Sequence, residues 1–377
     1  MTTPSKRSGR AATAVATVLA ALLIGLLSAC SAPAGTDTAP AAAPDQSVPL
    51  ADLDLLDDPR AFEGPSTALL ADAAIEAVAE NPEPTLPVTV TSRDLDGDTA
   101  VTVTSANRIL GLDISGSIAA TIFGLGLGDN VVGRDISTTF AEAADLPLIT
   151  SGGHAVNSEA VLALRPTVVI TDGTIGPTDV VLQLREAGIA VVFVDTDPSL
   201  DGASELARQV SAALGVSPTG ELLAANLQRR TADKVAEIAG IAPSDPADKL
   251  RILFLYLRGG AGIYYLFGEE SGADELITAL GGVDVAGEIG WTGMKPMTDE
   301  ALVAGNPDLV LVMTDGIASA GGVEGLLETK PAIGLTLAGQ HRRFVDMADG
   351  EILSFGPRTP DVLDALARAI YAPISAG

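Results

Sequence analysis

The sequence has few of the residues that disulfide frameworks, metal clusters and nucleic-acid interfaces need. Its 377 residues include one cysteine, two histidines, one tryptophan and only 3% aromatic residues. One cysteine excludes an internal disulfide and a thiolate metal cluster, and two histidines exclude a three-histidine zinc site. Basic residues are also scarce, with 22 Lys and Arg against 49 Asp and Glu, a formal net charge of −27. A chain this acidic repels phosphate backbones, so we expect no nucleic-acid partner.

The amino terminus has the order of an export signal. Lys6, Arg7 and Arg10 precede an uncharged, Ala-rich apolar run over residues 11–27, which favours a secretory signal over a membrane span. The run closes on Leu-Ser-Ala-Cys, with Cys30 the only cysteine. This resembles the lipobox of bacterial lipoproteins, although an ordinary signal peptide with an incidental cysteine is the alternative. The resemblance implies a lipid on Cys30 and a location on the outer face of the cytoplasmic membrane.

The rest of the chain divides by composition. Residues 31–47 are rich in Ala, Pro, Ser and Thr and lack hydrophobic periodicity, which predicts a flexible tether. Apolar residues make up 47% of the chain, enough for a large core beyond the tether. The predicted segments are a signal peptide (1–29), a lipidated cysteine with its tether (30–47), an amino-terminal α/β lobe with a preceding helix and hairpin (48–216), a bridging helix (217–240) and a carboxyl-terminal α/β lobe (241–377).

Several local patterns predict the first lobe. An Ala/Leu-rich helix is expected around residues 66–80, and alternating β-branched residues on both sides of Asp96-Gly97 predict a hairpin. Continuous apolar runs at residues 167–171 and 190–194 favour parallel strands covered on both faces. Helical stretches come after both runs, so we expect a β–α alternation.

An internal repeat predicts the second lobe. Asn157 and Thr298 each open a short helix, with Glu two residues later and Pro a further seven residues on, before an apolar strand that ends in Thr-Asp-Gly. Between the copies, residues 217–240 predict one long helix, because Ser-Pro starts it, Gly ends it and leucines lie along one face. The expected fold is α/β, with two Rossmann-like lobes joined by one long helix and a ligand cleft between them.

This topology, together with the lipobox, resembles the substrate-binding lipoproteins of ABC importers for haem, cobalamin and ferric siderophores, which have the class III periplasmic-binding-protein fold. The resemblance implies an ABC permease as partner. No Gly-x-x-x-x-Gly-Lys-Ser/Thr motif is present, so ATP hydrolysis would belong to that partner.

Tyr256 and Arg258 are the first candidate ligand residues. They lie two apart near the end of an apolar strand, so they share one face, at the strand end where open α/β sheets bind ligands. A phenol binds ferric iron well as phenolate, and a guanidinium on the same face would stabilise that anion. The pair predicts a phenolate–iron(III) ligand supported by Arg258. A core tyrosine with a solvated arginine is the alternative.

His154 is the second candidate. It comes after Ser-Gly-Gly and a short strand, and it precedes the helix that Asn157 opens. A histidine on such a loop is either a solvated side chain or an imidazole ligand for the iron face opposite Tyr256. The other histidine, His341, has two arginines beside it and is expected to be surface structure.

Together, the lipobox, the two lobes, Gly-Gly-His and Tyr-x-Arg-Gly-Gly resemble the haem-binding lipoproteins of actinobacterial haem importers, over about residues 86–370. The resemblance implies haem as the transported ligand, with His154 and Tyr256 as axial ligands and Arg258 beside the tyrosine. It also suggests Met313 as a pocket residue, and Trp291 is a flat apolar group that a porphyrin or the core could use.

Glu159 and Glu300 occupy equivalent places in the repeat. In this importer class one carboxylate on each lobe meets basic residues of the permease, while the alternative is stabilisation of a helix amino terminus. We expect a monomer without catalytic activity. A cobalamin or ferric-siderophore receptor of the same fold is the second hypothesis, and an extracellular hydrolase is disfavoured because no Gly-x-Ser-x-Gly motif occurs.

Overall fold

Two groups of alternating strands and helices are joined by one long helix. The computed structural model describes residues 45–71 and 74–374. The first group contains, in chain order, β1 (Ser66–Ala68), β2 (Val88–Ser92), β3 (Thr99–Val103), β4 (Ile109–Leu112), α1 (Ser117–Gly124), β5 (Thr150–Ser151), β6 (Ala155–Val156), α2 (Ser158–Leu164), β7 (Val168–Thr171), α3 (Thr178–Glu186), β8 (Ala190–Phe193) and α4 (Leu200–Ala213).

The second group comes after helix α5 (Ser217–Ile241). It contains β9 (Arg251–Arg258), β10 (Ile263–Phe267), α6 (Ala273–Ala279), β11 (Val283–Asp284), α7 (Val285–Glu288), β12 (Met294–Pro296), α8 (Asp299–Gly305), β13 (Leu309–Met313), α9 (Thr314–Ser319), α10 (Gly322–Thr329), α11 (Leu337–Gln340), β14 (Phe344–Met347) and α12 (Thr359–Tyr371). The predicted signal peptide, Cys30 and the tether as far as residue 44 lie outside the described residues.

The first lobe is built on a parallel three-stranded sheet in the order β4–β7–β8. Val168 and Ile170 of β7 pack into one buried cluster and Val169 into another, because successive side chains of a strand point to opposite faces. Helices α1 and α4 cover the first face, and α2 and α3 cover the second. The continuous apolar runs therefore form parallel strands, β7 and β8, covered on both faces, as the sequence predicted.

The predicted hairpin is present as β2 and β3, which pair in antiparallel register. Arg185 of α3 holds it to the sheet, with its Nη2 donating to Asp94 Oδ1 at 2.8 Å. This hydrogen bond, with others from Ser92 and Thr99, lowers the pKa of Asp94 to about 2. The hairpin also meets the sheet edge, where the backbone N–H of Arg93 donates to the carbonyl of Phe193.

The prediction of a helix around residues 66–80 is wrong. Residues 66–68 form β1, which pairs in parallel with β14, and residues 74–80 form no helix. The Ala/Leu composition favours a helix locally, but β1 instead completes the edge of the second sheet. Arg343 fixes it there, since its Nη1 donates to Ser66 Oγ at 2.8 Å.

The second lobe is built on a seven-stranded sheet in the order β1–β14–β13–β9–β10–β12, with β11 also paired to β9. Strands β9, β13 and β14 run parallel, and β10 runs antiparallel to both of its neighbours, β9 and β12. Helices α6 and α12 cover one face and α8 and α10 the other. Both lobes are thus sheets between helices, as expected.

The bridging helix α5 extends over 25 residues and confirms the prediction for 217–240 to within one residue. Its first half packs Leu223 and Leu227 into the first lobe, and Ile238 packs into the second. Lys234 Nζ donates to Asp364 of α12 at 2.7 Å, which fastens the helix to the second lobe. Among the described residues there is no helix long and apolar enough to span a membrane.

Candidate ligand site

Tyr256 and Arg258 lie at the carboxyl end of β9, on one face of the strand, and both are half-buried. The Arg258 guanidinium carbon lies 4.7 Å from the centre of the Tyr256 ring, a cation–π contact. Nη2 of Arg258 donates to Asp349 Oδ2 at 2.6 Å, and Nη1 donates to the carbonyl of Leu257 at 2.9 Å. Within residues 45–71 and 74–374, no hydrogen bond joins the guanidinium to the Tyr256 hydroxyl.

The ring of Tyr256 packs against a stack of phenylalanine rings. Its ring stacks on Phe267 of β10, with centres 5.7 Å apart, and Phe267 stacks on Phe254 at 5.2 Å. Tyr265 lies directly opposite Tyr256 in the β9–β10 register. Directly opposite residues of an antiparallel pair point to the same face, so this face carries two half-buried tyrosines.

Sequence reasoning missed Tyr265 as a neighbour of the candidate ligand. A signal was present, because Gly259–Gly262 form a short turn between two apolar runs, and a hairpin centred there pairs residues 256 and 265. Asp349 was also missed. It is 91 residues from Arg258 in sequence, and no local pattern connects the two.

The two proposed pocket residues lie on different faces of the second sheet. Met313 belongs to the buried cluster against which Tyr256 packs. Trp291 packs against the cluster on the other face, which includes Leu253 and Leu255 of β9. The Trp291 Nε1 is buried and has no hydrogen-bond partner among the described residues. Met313 therefore shares the environment of Tyr256, whereas Trp291 does not.

His154 lies at the tip of a small hairpin formed by β5 and β6 and is exposed. Gly152 and Gly153 precede it with φ angles of 56° and 96°, a left-handed backbone that glycine adopts without strain. The hairpin is fixed beside the segment after β7, where the N–H of Val156 donates to the carbonyl of Gly176. The histidine thus stands near the carboxyl edge of its lobe. Among the described residues, no hydrogen bond or ring contact joins it to Tyr256.

The two glutamates occupy matching places. Asn157 accepts a hydrogen bond from the N–H of Ala160, and Thr298 accepts one from Ala301, so each caps its helix as predicted. Glu159 and Glu300 lie in the first turns of α2 and α8, and both are exposed. An exposed carboxylate at each of these helices is compatible with either docking or stabilisation of the helix.

A buried carboxyl pair lies below the carboxyl edge of the first sheet. Asp113 comes directly after β4 and accepts hydrogen bonds from the backbone N–H groups of Ser117 and Ile118, at 2.9 and 3.1 Å. The N–H of Asp113 in turn donates to Asp135 Oδ2. Burial, together with the nearby charges of Asp135 and Asp172, raises the pKa of Asp113 to about 7. Burial also raises the pKa of Asp135.

The segment 349–358 joins β14 to α12 of the second lobe and contacts the first lobe, and we name it the strap. A Cβ placed on Gly350 would lie 2.5 Å from Thr139 Oγ1 and 3.0 Å from the carbonyl of Ser137. At the other end, the Arg358 guanidinium lies 5.7 Å from the ring centre of Phe140. Because the strap begins just after the carboxyl end of β14, it brings that edge of the second sheet against the first lobe.

Two other features are separate from these residues. His341 is half-buried, with Nδ1 3.1 Å from the carbonyl of Arg60, a position that suits a structural side chain. A cavity of about 680 Å³ opens in the first lobe between β2 and α4, and its described lining includes Arg93 and Arg208 but neither His154 nor Tyr256. Within the described residues, no group of three or more His, Cys, Asp or Glu side chains is arranged to hold a metal ion.

Two α/β lobes on one rigid helix, with polar and aromatic residues at the carboxyl ends of the strands, define a class of extracytoplasmic binding proteins. The family of periplasmic binding proteins matches residues 114–349, more than half of the chain. The chain belongs to that family.

Several known proteins are similar to this chain. The haem-binding protein HmuT is 38% identical, with a TM-score of 0.78 over 84% of this chain and 99% of its own. HmuT variants with one arginine, one histidine or one tyrosine replaced by alanine are equally similar, at 37–38% identity. The periplasmic haem-binding protein RhuT from Roseiflexus sp. RS-1, described in its apo form, is 36% identical, with a TM-score of 0.64 over 71% of this chain and 98% of its own.

A further relative is known from its sequence. YvrC of Bacillus subtilis (strain 168), an uncharacterized ABC transporter substrate-binding lipoprotein, is 27% identical over 251 residues. The match covers 66% of this chain and 76% of YvrC. The family of this chain is thus one of binding proteins rather than enzymes.

Proposed function

We propose that this chain is a lipid-anchored, extracellular haem-binding protein that delivers ferric haem to an ABC permease. The observation that carries the proposal is the Arg258 guanidinium over the Tyr256 ring, 4.7 Å from its centre, at the carboxyl end of β9. A tyrosine binds ferric iron as phenolate, and a fixed cation beside the ring favours that anion. A core tyrosine has no need of a half-buried arginine that is itself held by a carboxylate.

The chemistry of binding is divided between the lobes. Tyr256 would supply an anionic oxygen to one axial position of the iron, and Arg258 would favour its deprotonated state. His154, on its glycine-flanked loop, would supply a neutral nitrogen from the first lobe. Met313 would contribute an apolar contact near the tyrosine. Trp291 has weaker support as a pocket residue, because it packs on the other face of the sheet.

The similar proteins support the same cargo. HmuT, RhuT and BhuT are haem-binding proteins, and BhuT has been solved in complex with two haems. In HmuT the replaced tyrosine and the replaced arginine are separated by one residue, as Tyr256 and Arg258 are. A replaced histidine precedes them, as His154 does here. These correspondences favour haem over cobalamin or a ferric siderophore.

The remaining parts of the proposal concern delivery. A lipid on Cys30 would anchor the chain at the outer face of the cytoplasmic membrane, with residues 31–47 as the tether. Glu159 and Glu300 would meet basic residues on the permease and set the docking register. The protein acts as a monomer and performs no chemistry on its ligand, and the ATP hydrolysis belongs to the transporter.

The test is a hemin titration monitored by visible spectroscopy. The full chain is expected to give a shifted Soret band, which Tyr256→Phe disturbs by removing the phenolate. Tyr265→Phe is the matched control, because it removes the hydroxyl of the tyrosine directly opposite and leaves the proposed ligand. His154→Ala is expected to change the spectrum of the bound haem, while His341→Ala leaves it unchanged. Equal spectra for the wild type, Tyr256→Phe and His154→Ala would contradict the coordination.

A further inference from the structure

Asp349 links the candidate ligand residues to the contact between the lobes. Its Oδ2 accepts the 2.6 Å hydrogen bond from Nη2 of Arg258, and its Oδ1 accepts one from the N–H of Asp315 at 2.9 Å. The Asp349 side chain is 22% exposed and that of Arg258 is 32% exposed. The backbone bond to Asp315 fixes the carboxylate, so the ion pair has a defined direction as well as a charge.

The orientation of the Arg258 guanidinium determines how it contacts Tyr256. A guanidinium is planar and attached to a flexible side chain, so two anchors are needed to define its plane. Here one anchor is the carbonyl of Leu257, on the same strand, and the other is Asp349. Both are occupied while the guanidinium carbon lies 4.7 Å from the centre of the Tyr256 ring. Without Asp349, the side chain of Arg258 would keep only one anchor and gain freedom to turn toward solvent.

The position of Asp349 in the chain adds a second connection. It directly precedes Gly350, where the strap meets the first lobe so closely that a Cβ would lie 2.5 Å from Thr139 Oγ1. A change in the contact between the lobes therefore moves Gly350, and with it the neighbouring Asp349, which anchors Arg258. The same change reaches Tyr256 through the guanidinium.

We propose that Asp349 is a positioning residue that holds Arg258 over Tyr256 and makes that arrangement depend on the contact between the lobes. The inference rests on the proposed function, since its value to the protein is the strength of the tyrosine ligand. Separation of the lobes would displace Asp349 and release the guanidinium, so the tyrosine would bind the cargo less strongly at the moment of delivery.

Substitutions at Asp349 separate position from charge. Asp349→Asn keeps one of the two acceptor oxygens, which can face Arg258, and loses the charge. Asp349→Glu keeps the charge and moves it by one methylene, and Asp349→Ala removes both. The full chain is loaded with hemin, the rate of hemin transfer to excess apomyoglobin is measured, and the phenolate–iron vibrations are recorded by resonance Raman spectroscopy. Folding of each variant is checked by circular dichroism.

If Asp349 acts by position, Asp349→Ala and Asp349→Glu are expected to lose hemin about tenfold faster than the wild type. A factor of that size lies at the lower end of the effect of a hydrogen bond to a charged group. The phenolate–iron vibrations of both variants are expected to weaken. Asp349→Asn, whose one oxygen can still accept from Nη2 of Arg258, is expected to lose hemin more slowly than either of these variants. The matched controls are Asp233→Asn and Asp233→Ala, which change the charge equally in an exposed ion pair with Arg229 on α5. They are expected to leave both readouts unchanged.

The failures of the two proposals are distinguishable. If the wild type gives no shifted Soret band with hemin, the proposed function fails. If the wild type binds hemin but all Asp349 variants transfer it at the wild-type rate, the positioning role fails alone. It also fails if Asp349→Asn accelerates transfer as much as Asp349→Glu, since that result assigns the effect to charge. If Asp349→Ala does not fold, the comparison of Asn with Glu decides.

Discussion

At the scale of single residues, the least expected feature is the buried carboxyl pair of the first lobe. Asp113 is completely buried and accepts hydrogen bonds from the backbone at the start of α1, so it fixes the turn between β4 and that helix. Its pKa is raised from 3.8 to about 7, mainly by burial. A carboxyl group whose pKa is raised in the folded state stabilises the fold in its neutral form.

The pH dependence of stability results from this shift. The contribution of Asp113 is complete below its ordinary pKa near 3.8 and is lost as the pH rises through about 7. We therefore expect the free energy of unfolding to fall between about pH 4 and pH 7, with a slope of at most about 1.4 kcal/mol per pH unit from this group. The measurement is urea unfolding at several pH values.

Asp113→Asn is expected to flatten that slope, although it also lowers stability at all pH values because the amide nitrogen cannot accept hydrogen bonds. Asp129→Asn, at an exposed position in the same lobe, should keep the wild-type slope. An unchanged slope in Asp113→Asn would show that other carboxyl groups carry the dependence. Burial raises the pKa of Asp284 and Asp361 in the same direction, so some slope should remain in every variant.

The residues of the candidate site differ in how far the sequence predicts them. Tyr256 and Arg258 were predictable as partners, because an interval of two residues places side chains on one face of any strand. Their contact with Asp349 was not predictable, since it depends on how β9, β13 and β14 are ordered in the sheet. The position of the guanidinium over the ring was also not predicted, because the sequence places both side chains on one face without specifying which atoms meet.

At the scale of elements, the predictions were correct where local signals and packing agree. The caps at Asn157 and Thr298 and the Ser-Pro start of α5 are local, and each begins a helix where expected. The prediction for residues 66–80 failed because β1 draws its hydrogen bonds from β14, about 280 residues later. Edge strands of this kind carry little local signal, since their stability comes from the sheet.

The contact of the strap with the first lobe leads to a testable prediction at this scale. Gly350→Ala is expected to push the strap away from the first lobe, because the added methyl would meet Thr139 Oγ1 and the carbonyl of Ser137 at contact distances that real side chains avoid. We expect a lower melting temperature and several-fold faster loss of hemin, since Asp349 moves with its neighbour. Thermal unfolding and transfer to apomyoglobin measure the two effects.

Gly334→Ala is the matched control for the strap. Its added methyl would come no nearer than 4.0 Å to Leu327, and this glycine also lies in the second lobe. It should leave hemin loss unchanged. Wild-type behaviour of Gly350→Ala in both measurements would mean that the strap adjusts without moving Asp349.

At the scale of the whole molecule, the helix α5 sets how the lobes move. Its residues Leu223 and Leu227 are buried in the first lobe. It is held to the second lobe by two ion pairs with α12, Arg230 with Asp361 and Lys234 with Asp364. A continuous helix fastened in both lobes restricts bending to small angles. Opening is therefore expected to be limited, and small displacements at the strap become relevant to ligand release.

Docking is tested at the same scale. Reversing the charge of Glu159 and Glu300 to Lys is expected to reduce haem uptake by cells strongly while hemin binding by the purified protein stays intact, because both are exposed helix residues and neither is a proposed iron ligand. The matched control reverses Glu186 and Glu328, which also lie on helices of the first and second lobe. Normal uptake with the first pair reversed would assign the two glutamates to helix stabilisation instead.

The placement of Trp291 has a practical consequence. It is the only indole in the chain, and it lies behind the second sheet, on the face away from Tyr256. A bound porphyrin would quench its emission through space by resonance energy transfer rather than by collision. The fluorescence lifetime of the unlabelled protein would then depend on a single donor–acceptor distance. Its change over time would report the binding and release of the porphyrin.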